Sequence, residues 1–251
     1  MHRSTQLVYC CDWADVTTLA ARHPKTLSYG LAEGADIRLS DLRLSEDGTS
    51  FCLEQQGRRH QVKLAVIGEH NALNAAAALA AAQVAGLPLA EAIGALEDFK
   101  GVGRRWQVYG IVNDCLIVDD YAHHPTEIHS TLLAAKATGR RVRAVFQPHR
   151  VIRTANQWPE MAEAVSLADE IVVLDIYAAN EQALEHVSSE LIVKRLESMN
   201  KQVHYSTIDQ AIAYCAESLA ARDLIITLGA GDVWKVADGI MQVAQAQGSL
   251  N

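Results

Sequence analysis

Residues 224–234 read LIITLGAGDVW: an apolar, β-branched run, then Gly229, Ala230 and Gly231, then a helical pattern starting near Asp232. A short apolar run closed by glycines and followed by a helix is one βα unit. The same unit recurs upstream. Strand-like runs at residues 116–119, 143–146, 171–175 and 203–205 each precede a helix, starting near Pro125, Asn156, Ser188 and Ile208 respectively. Alternating units of this kind predict an α/β domain with a mostly parallel, doubly wound sheet.

The first hundred residues follow another pattern. Gln6 to Cys11 is a short apolar run, followed by a helix-like stretch from Asp12 to Arg22 with Asp12 as the expected N-cap. Alternating runs at 37–44, 51–55 and 61–66, with Asp47-Gly48 as a hairpin signal, predict antiparallel strands. Ala72 to Ala85 is a dense alanine helix ended by Gly86 and Pro88, and Leu89 to Phe99 forms a second helix. Gly101-Val102-Gly103 breaks the pattern before the strand-like run 106–111. That break sets the expected domains at residues 1–102 and 103–251.

With 251 residues, 49% of them hydrophobic and 21% charged, the chain has the composition of a globular protein and not of a disordered or fibrous one. A formal charge of −8 disfavours nucleic acid and anionic membranes as partners. No run approaches the roughly 18 apolar residues of a membrane span, and Met1 to Gln6 lacks a signal-peptide core, so the expectation is a cytoplasmic protein. Cys10, Cys11, Cys52, Cys115 and Cys215 are odd in number and form no CxxC pair, which predicts reduced, mostly buried thiols.

In an open α/β sheet, ligands sit beyond the carboxyl ends of the strands, and here the residues following the strands are polar. They include Asp119, Asp120, Tyr121, His123, His124 and Glu127 after one strand, and Gln147, His149, Arg150 and Arg153 after another. Arg150 and Arg153 can form a fork for a carboxylate or phosphate; the alternative is a solvated basic surface. Arg140, Arg141, Arg143, His149, Arg150 and Arg153 together form the one basic cluster, a candidate anion site. The acid and histidine group carries no zinc signature, so capping and substrate hydrogen bonding are expected there rather than a metal. Gly229-Ala230-Gly231 resembles the start of a dinucleotide fingerprint, but Trp234 stands at the third glycine's place, so a close-packing turn is the alternative. Asn71 and Asn74 suit either helix capping or a purine edge, and Arg104 and Arg105 suit either a phosphate or open solvent.

Five segments stand in order: HNALNA (70–75), FKGVGRRW (99–106), DDYAHHPTEI (119–128), FQPHR (146–150) with Arg153-Thr154 following, and LGAGDVWKV (228–236). This ordered set resembles the UDP-N-acetylmuramate–L-alanine ligases of the Mur ligase family, with matching spacing from about Gln6 to Ala244. The resemblance implies a ligase of peptidoglycan precursor synthesis that joins L-alanine to UDP-N-acetylmuramate through an acyl phosphate, using ATP and Mg2+. It implies that His70, Asn71 and Asn74 contact the adenosine of ATP, and that Arg105 with Asp119 or Asp120 assists its phosphates. Tyr121, His123, Arg150 and Arg153 would surround L-alanine, with His123 also among the catalytic groups.

No G-x-x-x-x-G-K-[ST] phosphate loop occurs in these 251 residues. By resemblance, that loop, the UDP-sugar domain and the principal magnesium ligands belong upstream. The chain then reads as the distal half of a central ATPase domain followed by a Rossmann-like C-terminal domain, inactive in isolation and with an exposed apolar face where the remainder packs. The runner-up reading is a noncatalytic module that binds alanine or nucleotide, or that pairs with a separate N-terminal half. Two departures from the family pattern stand out: Val151 replaces a common aromatic residue, and residues 175–181 read DIYAANE where DVYPAGE is common.

Overall fold

The structure, a computed structural model, describes residues 6–248, and the chain divides into two compact units between Lys100 and Gly101. In the first unit the elements run β1 (Leu7–Cys10), α1 (Ala14–Ala20), β2 (Thr26–Gly30), β3 (Ile37–Ser45), β4 (Gly48–Gln55), β5 (Arg58–Leu64), α2 (Glu69–Val84) and α3 (Leu89–Glu97). The five strands lie in sequence order. β1, β2 and β3 pair in parallel, and β3, β4 and β5 form the expected antiparallel meander.

Alternation along β3 and β4 sends Ile37, Leu39, Phe51 and Leu53 to one face, where they meet Ala72, Ala76, Leu79 and Ala80 of α2. The alanines carry little side chain, so the helix lies close on the sheet. Full burial of a side chain such as Phe51 or Leu79 contributes about 1.5–3 kcal/mol. Elsewhere Trp13, Val16 and Leu19 leave an apolar face exposed on and beside α1.

Two expectations for this unit need correction. Asp12 is not the N-cap of α1, whose cap position is Trp13 without a side-chain bond. The Asp12 carboxylate instead accepts from the backbone N–H groups of Leu31 and Ala32, each at 2.9 Å, and so ties the β1 end to the loop after β2. Strand β2 was not foreseen, because TLSYG is short and half polar.

The second unit runs β6 (Gln107–Val112), β7 (Cys115–Asp120), α4 (Pro125–Ala137), β8 (Arg141–Phe146), α5 (Val151–Val165), β9 (Glu170–Leu174), α6 (Glu190–Ser198), β10 (Val203–Ser206), α7 (Ile208–Glu217), β11 (Asp223–Leu228) and α8 (Trp234–Ala246). Its sheet has the order β10-β9-β8-β11-β7-β6, parallel except for β6, which pairs antiparallel with β7 at the edge. The alternating βα reading therefore holds. Helices α4, α5 and α6 cover one face through Ile128, Leu132, Met161 and Ile192, and α7 and α8 cover the other through Cys215, Val236 and Ile240. Strands covered on both faces read as near-continuous apolar runs, as IVVL and LIIT do.

Helix α5 starts at Val151, five residues before the expected Asn156, because Glu181 from a distant loop satisfies its first turn. The basic cluster also separates. Arg141 and Arg143 begin β8 and Arg140 precedes it, whereas His149, Arg150 and Arg153 lie beyond its far end. Six extended residues span about 20 Å, so these groups cannot share one anion.

Candidate functional site

At the carboxyl edge of the second unit's sheet, the last two residues of β7 hold the neighbouring turns. Asp119 and Asp120 belong to the strand itself rather than following it. Asp119 is fully buried; its carboxylate takes Arg104 Nε at 2.9 Å and Thr227 Oγ1 at 2.6 Å. Arg104 then donates through Nη2 to the Gly229 carbonyl at 2.7 Å and through Nη1 to the Gly231 carbonyl at 3.1 Å. Asp120 accepts from the backbone N–H groups of Trp106 and Ala122, both at 2.8 Å. Burial pushes the Asp120 carboxyl above its ordinary range, outweighing those two N–H donors.

Beyond Asp120 the chain presents a row of rings. Tyr121 and His123 meet edge to face at 5.3 Å, His123 and His149 at 5.6 Å, and His149 stacks on Tyr177 at 5.6 Å. The guanidinium groups of Arg104 and Arg105 lie 5.1 and 5.4 Å from the centre of the Tyr121 ring, within cation–π range. His123 Nδ1 lies 2.9 Å from the Tyr121 carbonyl, which accepts a hydrogen bond from it. His124 caps α4, with Glu127 closing the reciprocal half of the capping box. Burial alone would raise the Glu127 carboxyl, but the His123 N–H, the His123 ring and the His124 N–H hold it below its ordinary value.

The β8 side supplies the cations. Arg150 occupies the N-cap of α5 in the left-handed region, φ 72°, with its N–H on the Tyr177 carbonyl at 2.8 Å. Its Nε donates to Glu181 Oε1 at 2.6 Å while the side chain remains half exposed. Arg153 Nη1 and His149 Nδ1 are buried polar atoms without a hydrogen-bond partner, and such atoms in a native fold call for a ligand or water. Burial, then the charges of His123, Arg153 and Arg150, lower the His149 pKa, so its ring is neutral at pH 7. Gly231 is where this floor needs a glycine: a Cβ there would come within 2.4 Å of Gln147 Oε1 and 2.5 Å of Tyr177 Cγ.

In the first unit helix α2 starts at Glu69, ahead of the expected Ala72, so His70, Asn71 and Asn74 all lie in its first two turns. Asn71 Nδ2 donates to the Ile67 carbonyl at 2.8 Å from within the helix, which is not a cap, since the N-cap position is Gly68 without a side-chain bond, and Asn74 is exposed.

The second unit thus gathers Arg105, Tyr121, His123, Arg150 and Arg153 at one sheet edge, with Asp119 and Asp120 beneath as supports. The arrangement offers guanidinium forks for an anion, an imidazole as a candidate proton acceptor, and ring faces to cover an apolar group. Among the described residues no group of three or more His, Cys, Asp and Glu side chains could hold a metal ion. Sequence reasoning missed Glu181 and Tyr177 as members of the site; their position after β9, at the same sheet edge, was the available signal. It passed over Arg104 in favour of Arg105, although the first of the pair is the one locked into the fold.

The family profile of the Mur ligase glutamate ligase domain matches residues 104–231, and that of the Mur ligase middle domain matches residues 6–82. Among curated relatives, the UDP-N-acetylmuramate–L-alanine ligase of Deinococcus radiodurans is 42% identical over 95% of the chain and 50% of its own length. That of Geobacter sp. strain M21 is 38% identical over 93% and 52%. The chain spans about half the length of the curated relatives it matches. Among solved structures, the UDP-N-acetylmuramate–alanine ligase of Thermotoga maritima superposes with a TM-score of 0.76 at 27% identity, over 96% of this chain and 52% of that one. Profile, relatives and fold agree: the chain belongs to the Mur ligase family.

Proposed function

We propose that this chain supplies the distal part of the ATPase domain and the C-terminal domain of a ligase that joins L-alanine to UDP-N-acetylmuramate. In that reaction a carboxylate oxygen of the sugar's lactoyl group attacks the γ-phosphorus of ATP, ADP leaves, and an acyl phosphate forms. The amine of L-alanine then attacks the acyl carbon, phosphate departs, and the ammonium proton passes to a base. Arg150 and Arg153 hold the alanine carboxylate, and His123 Nε2 takes the proton. Tyr121 lines the pocket, and Arg105 steadies the transferring phosphate. Asp119 and Asp120 are positioning residues that act through Arg104 and the backbone N–H groups they bind. His70, Asn71 and Asn74 approach the adenosine.

The observation that carries this reading is the pair of buried, unpartnered atoms, Arg153 Nη1 and His149 Nδ1, beside the half-exposed Arg150. A carboxylate satisfies such a pair better than water does, because charge-assisted bonds are about twice as strong as neutral ones. Magnesium, carried by ATP, neutralises phosphate charge; no step here runs through a metal held by these residues.

The test joins this chain to the upstream half of its Deinococcus radiodurans relative and measures alanine-dependent phosphate release. Arg150→Ala or Arg153→Ala should raise the alanine KM about ten- to a hundredfold, from roughly 1.5–3 kcal/mol per charge-assisted bond, and leave the ATP KM nearly unchanged. A rise in the ATP KM alone would assign the fork to the other substrate. The 251-residue chain by itself, without a phosphate loop, should release no phosphate. Alanine binding without turnover by the joined protein would favour a noncatalytic binding module.

A further inference from the structure

We propose that Glu181 is the positioning residue for Arg150: its carboxylate fixes the guanidinium so that the terminal nitrogens face the carboxylate of the incoming amino acid. The inference rests on the reading of Arg150 as a substrate-binding group. Glu181 Oε1 accepts from Arg150 Nε at 2.6 Å, and Oε2 accepts from the backbone N–H of Ile152 at 3.0 Å. Arg150 Nη1 and Nη2 make no hydrogen bond among the described residues. One edge of the guanidinium is thus anchored and the other is open.

The root of the side chain is held as well. Arg150 sits at φ 72°, a region costly for a residue with a Cβ, between its own N–H bond to Tyr177 and the bonds its carbonyl accepts from Thr154 N at 3.0 Å and Thr154 Oγ1 at 2.9 Å. A side chain held at its backbone root and at Nε loses little further rotamer freedom when a carboxylate arrives.

The loop that delivers Glu181 is equally specific. Ala179 and Asn180 lie in the left-handed region at φ 51° and 67°, and the Glu181 N–H donates to the Ala178 carbonyl at 3.0 Å. Asparagine tolerates that conformation better than other residues with a Cβ. The departure at Asn180 therefore preserves the turn that a glycine would make. Glu181 itself is only 12% exposed against 52% for Arg150, so the carboxylate is the settled partner and the guanidinium the presented one. The N–H of Ile152 first, then the Arg150 side chain and the N–H of Val151, together outweigh burial and hold the Glu181 carboxyl below its ordinary value; it is ionised at neutral pH.

The test titrates L-alanine into the 251-residue chain by 15N NMR, following the Arg150 side-chain Nε–H and the backbone of residues 150–154. Glu181→Ala and Glu181→Gln should each weaken L-alanine binding about tenfold, since the single amide oxygen of glutamine can keep the Ile152 N–H cap while its NH2 group cannot accept from Arg150 Nε. Thermal melting of Glu181→Gln should match the parent, which separates positioning from mere structural support. Binding by Glu181→Ala that equals or exceeds the parent's overturns the proposal, because the carboxylate would then be idle or in the ligand's place. If Arg150→Ala binds as the parent does, or the parent binds no L-alanine, the substrate role of Arg150 falls first and this inference with it. If Arg150→Ala loses binding while Glu181→Ala keeps it, Glu181 alone is misassigned.

Discussion

Arg104 and Asp119 form an ion pair, Nε to Oδ2 at 2.9 Å, in which the acid is fully buried and the base is the clamp on the Gly229–Gly231 turn. One arginine therefore connects β7, the loop before β6 and the glycine turn after β11. Removing it strands a buried carboxylate and two or three carbonyls together.

Arg104→Ala should cost about 3–5 kcal/mol of stability, the range for breaking one side of a buried pair. Arg104→Lys should recover only part, because an ammonium cannot reach the acid and both carbonyls in one plane. Chemical denaturation of the two variants checks this. Equal stability of Arg104→Ala and the parent would remove the clamp from the account.

Gly231→Ala should destabilise by about 1–3 kcal/mol through overpacking against Tyr177 and Gln147. Because Tyr177 stacks on His149, the same change should shift the His149 ring resonances in NMR spectra. A variant with unchanged His149 signals would mean that the turn relaxes without moving the ring.

His149 should titrate below its ordinary value of 6.5, through burial first and the neighbouring positive charges second. The sign follows: the unfolded chain takes up the proton before the folded one does. The stability that depends on a neutral ring is thus complete above about pH 6.5 and is lost as pH falls through the lower folded value. NMR titration of the ring should also show Arg153→Ala moving the midpoint back toward 6.5. A midpoint that ignores Arg153 would refute the pairing.

Glu170 occupies the opposite, amino end of the sheet, where it binds Arg143 at 2.9 Å, Arg141 at 2.7 Å and the Tyr214 hydroxyl at 2.9 Å. Burial alone would raise this carboxyl; the Tyr214 and Arg143 hydrogen bonds and the two arginine charges outweigh it and lower the pKa below 4.5. Its contribution is therefore present above about pH 4.5 and lost as pH falls through the lower folded value. Glu170→Gln should cost about 3 kcal/mol at pH 7, near the low end for a broken buried pair because Asp223 still faces both arginines. The variant's stability should then decline less steeply with acid than the parent's. Parallel acid profiles for the two proteins would count against this assignment.

The carboxyl edge of the second unit's sheet was legible because its central strands are covered on both faces and so read as apolar runs, stopping at polar residues or glycine. Three of the five motifs, at 119–128, 146–150 and 228–236, fell at those stops. Asp119 falls in the expected run 116–119, but the strand also includes Asp120, which was missed because acids rarely end a buried strand unless satisfied. Here Arg104 and Thr227 satisfy Asp119, and the backbone N–H groups of Trp106 and Ala122 satisfy Asp120, most of these partners being remote in sequence. The start of α5 was misplaced for the same kind of reason, since its cap is supplied by Glu181, thirty residues on.

Local pattern thus determined the α/β class, the antiparallel meander, the parallel second sheet and the residues at its carboxyl edge, because hydrophobic period and turn chemistry act over a few residues. Tertiary structure alone decided which charges are spent and which are offered. Arg140, Arg141 and Arg143 look like Arg150 and Arg153 in the sequence, yet acids brought from Asp114, Glu170 and Asp223 neutralise the first three at the amino end of the sheet, while at the carboxyl end Arg150 pairs with Glu181 through Nε alone and Arg153 keeps a buried Nη1 without a partner. The physical reason is that ion pairing depends on distance through space, and strand direction put the two groups of arginines at opposite ends of one sheet.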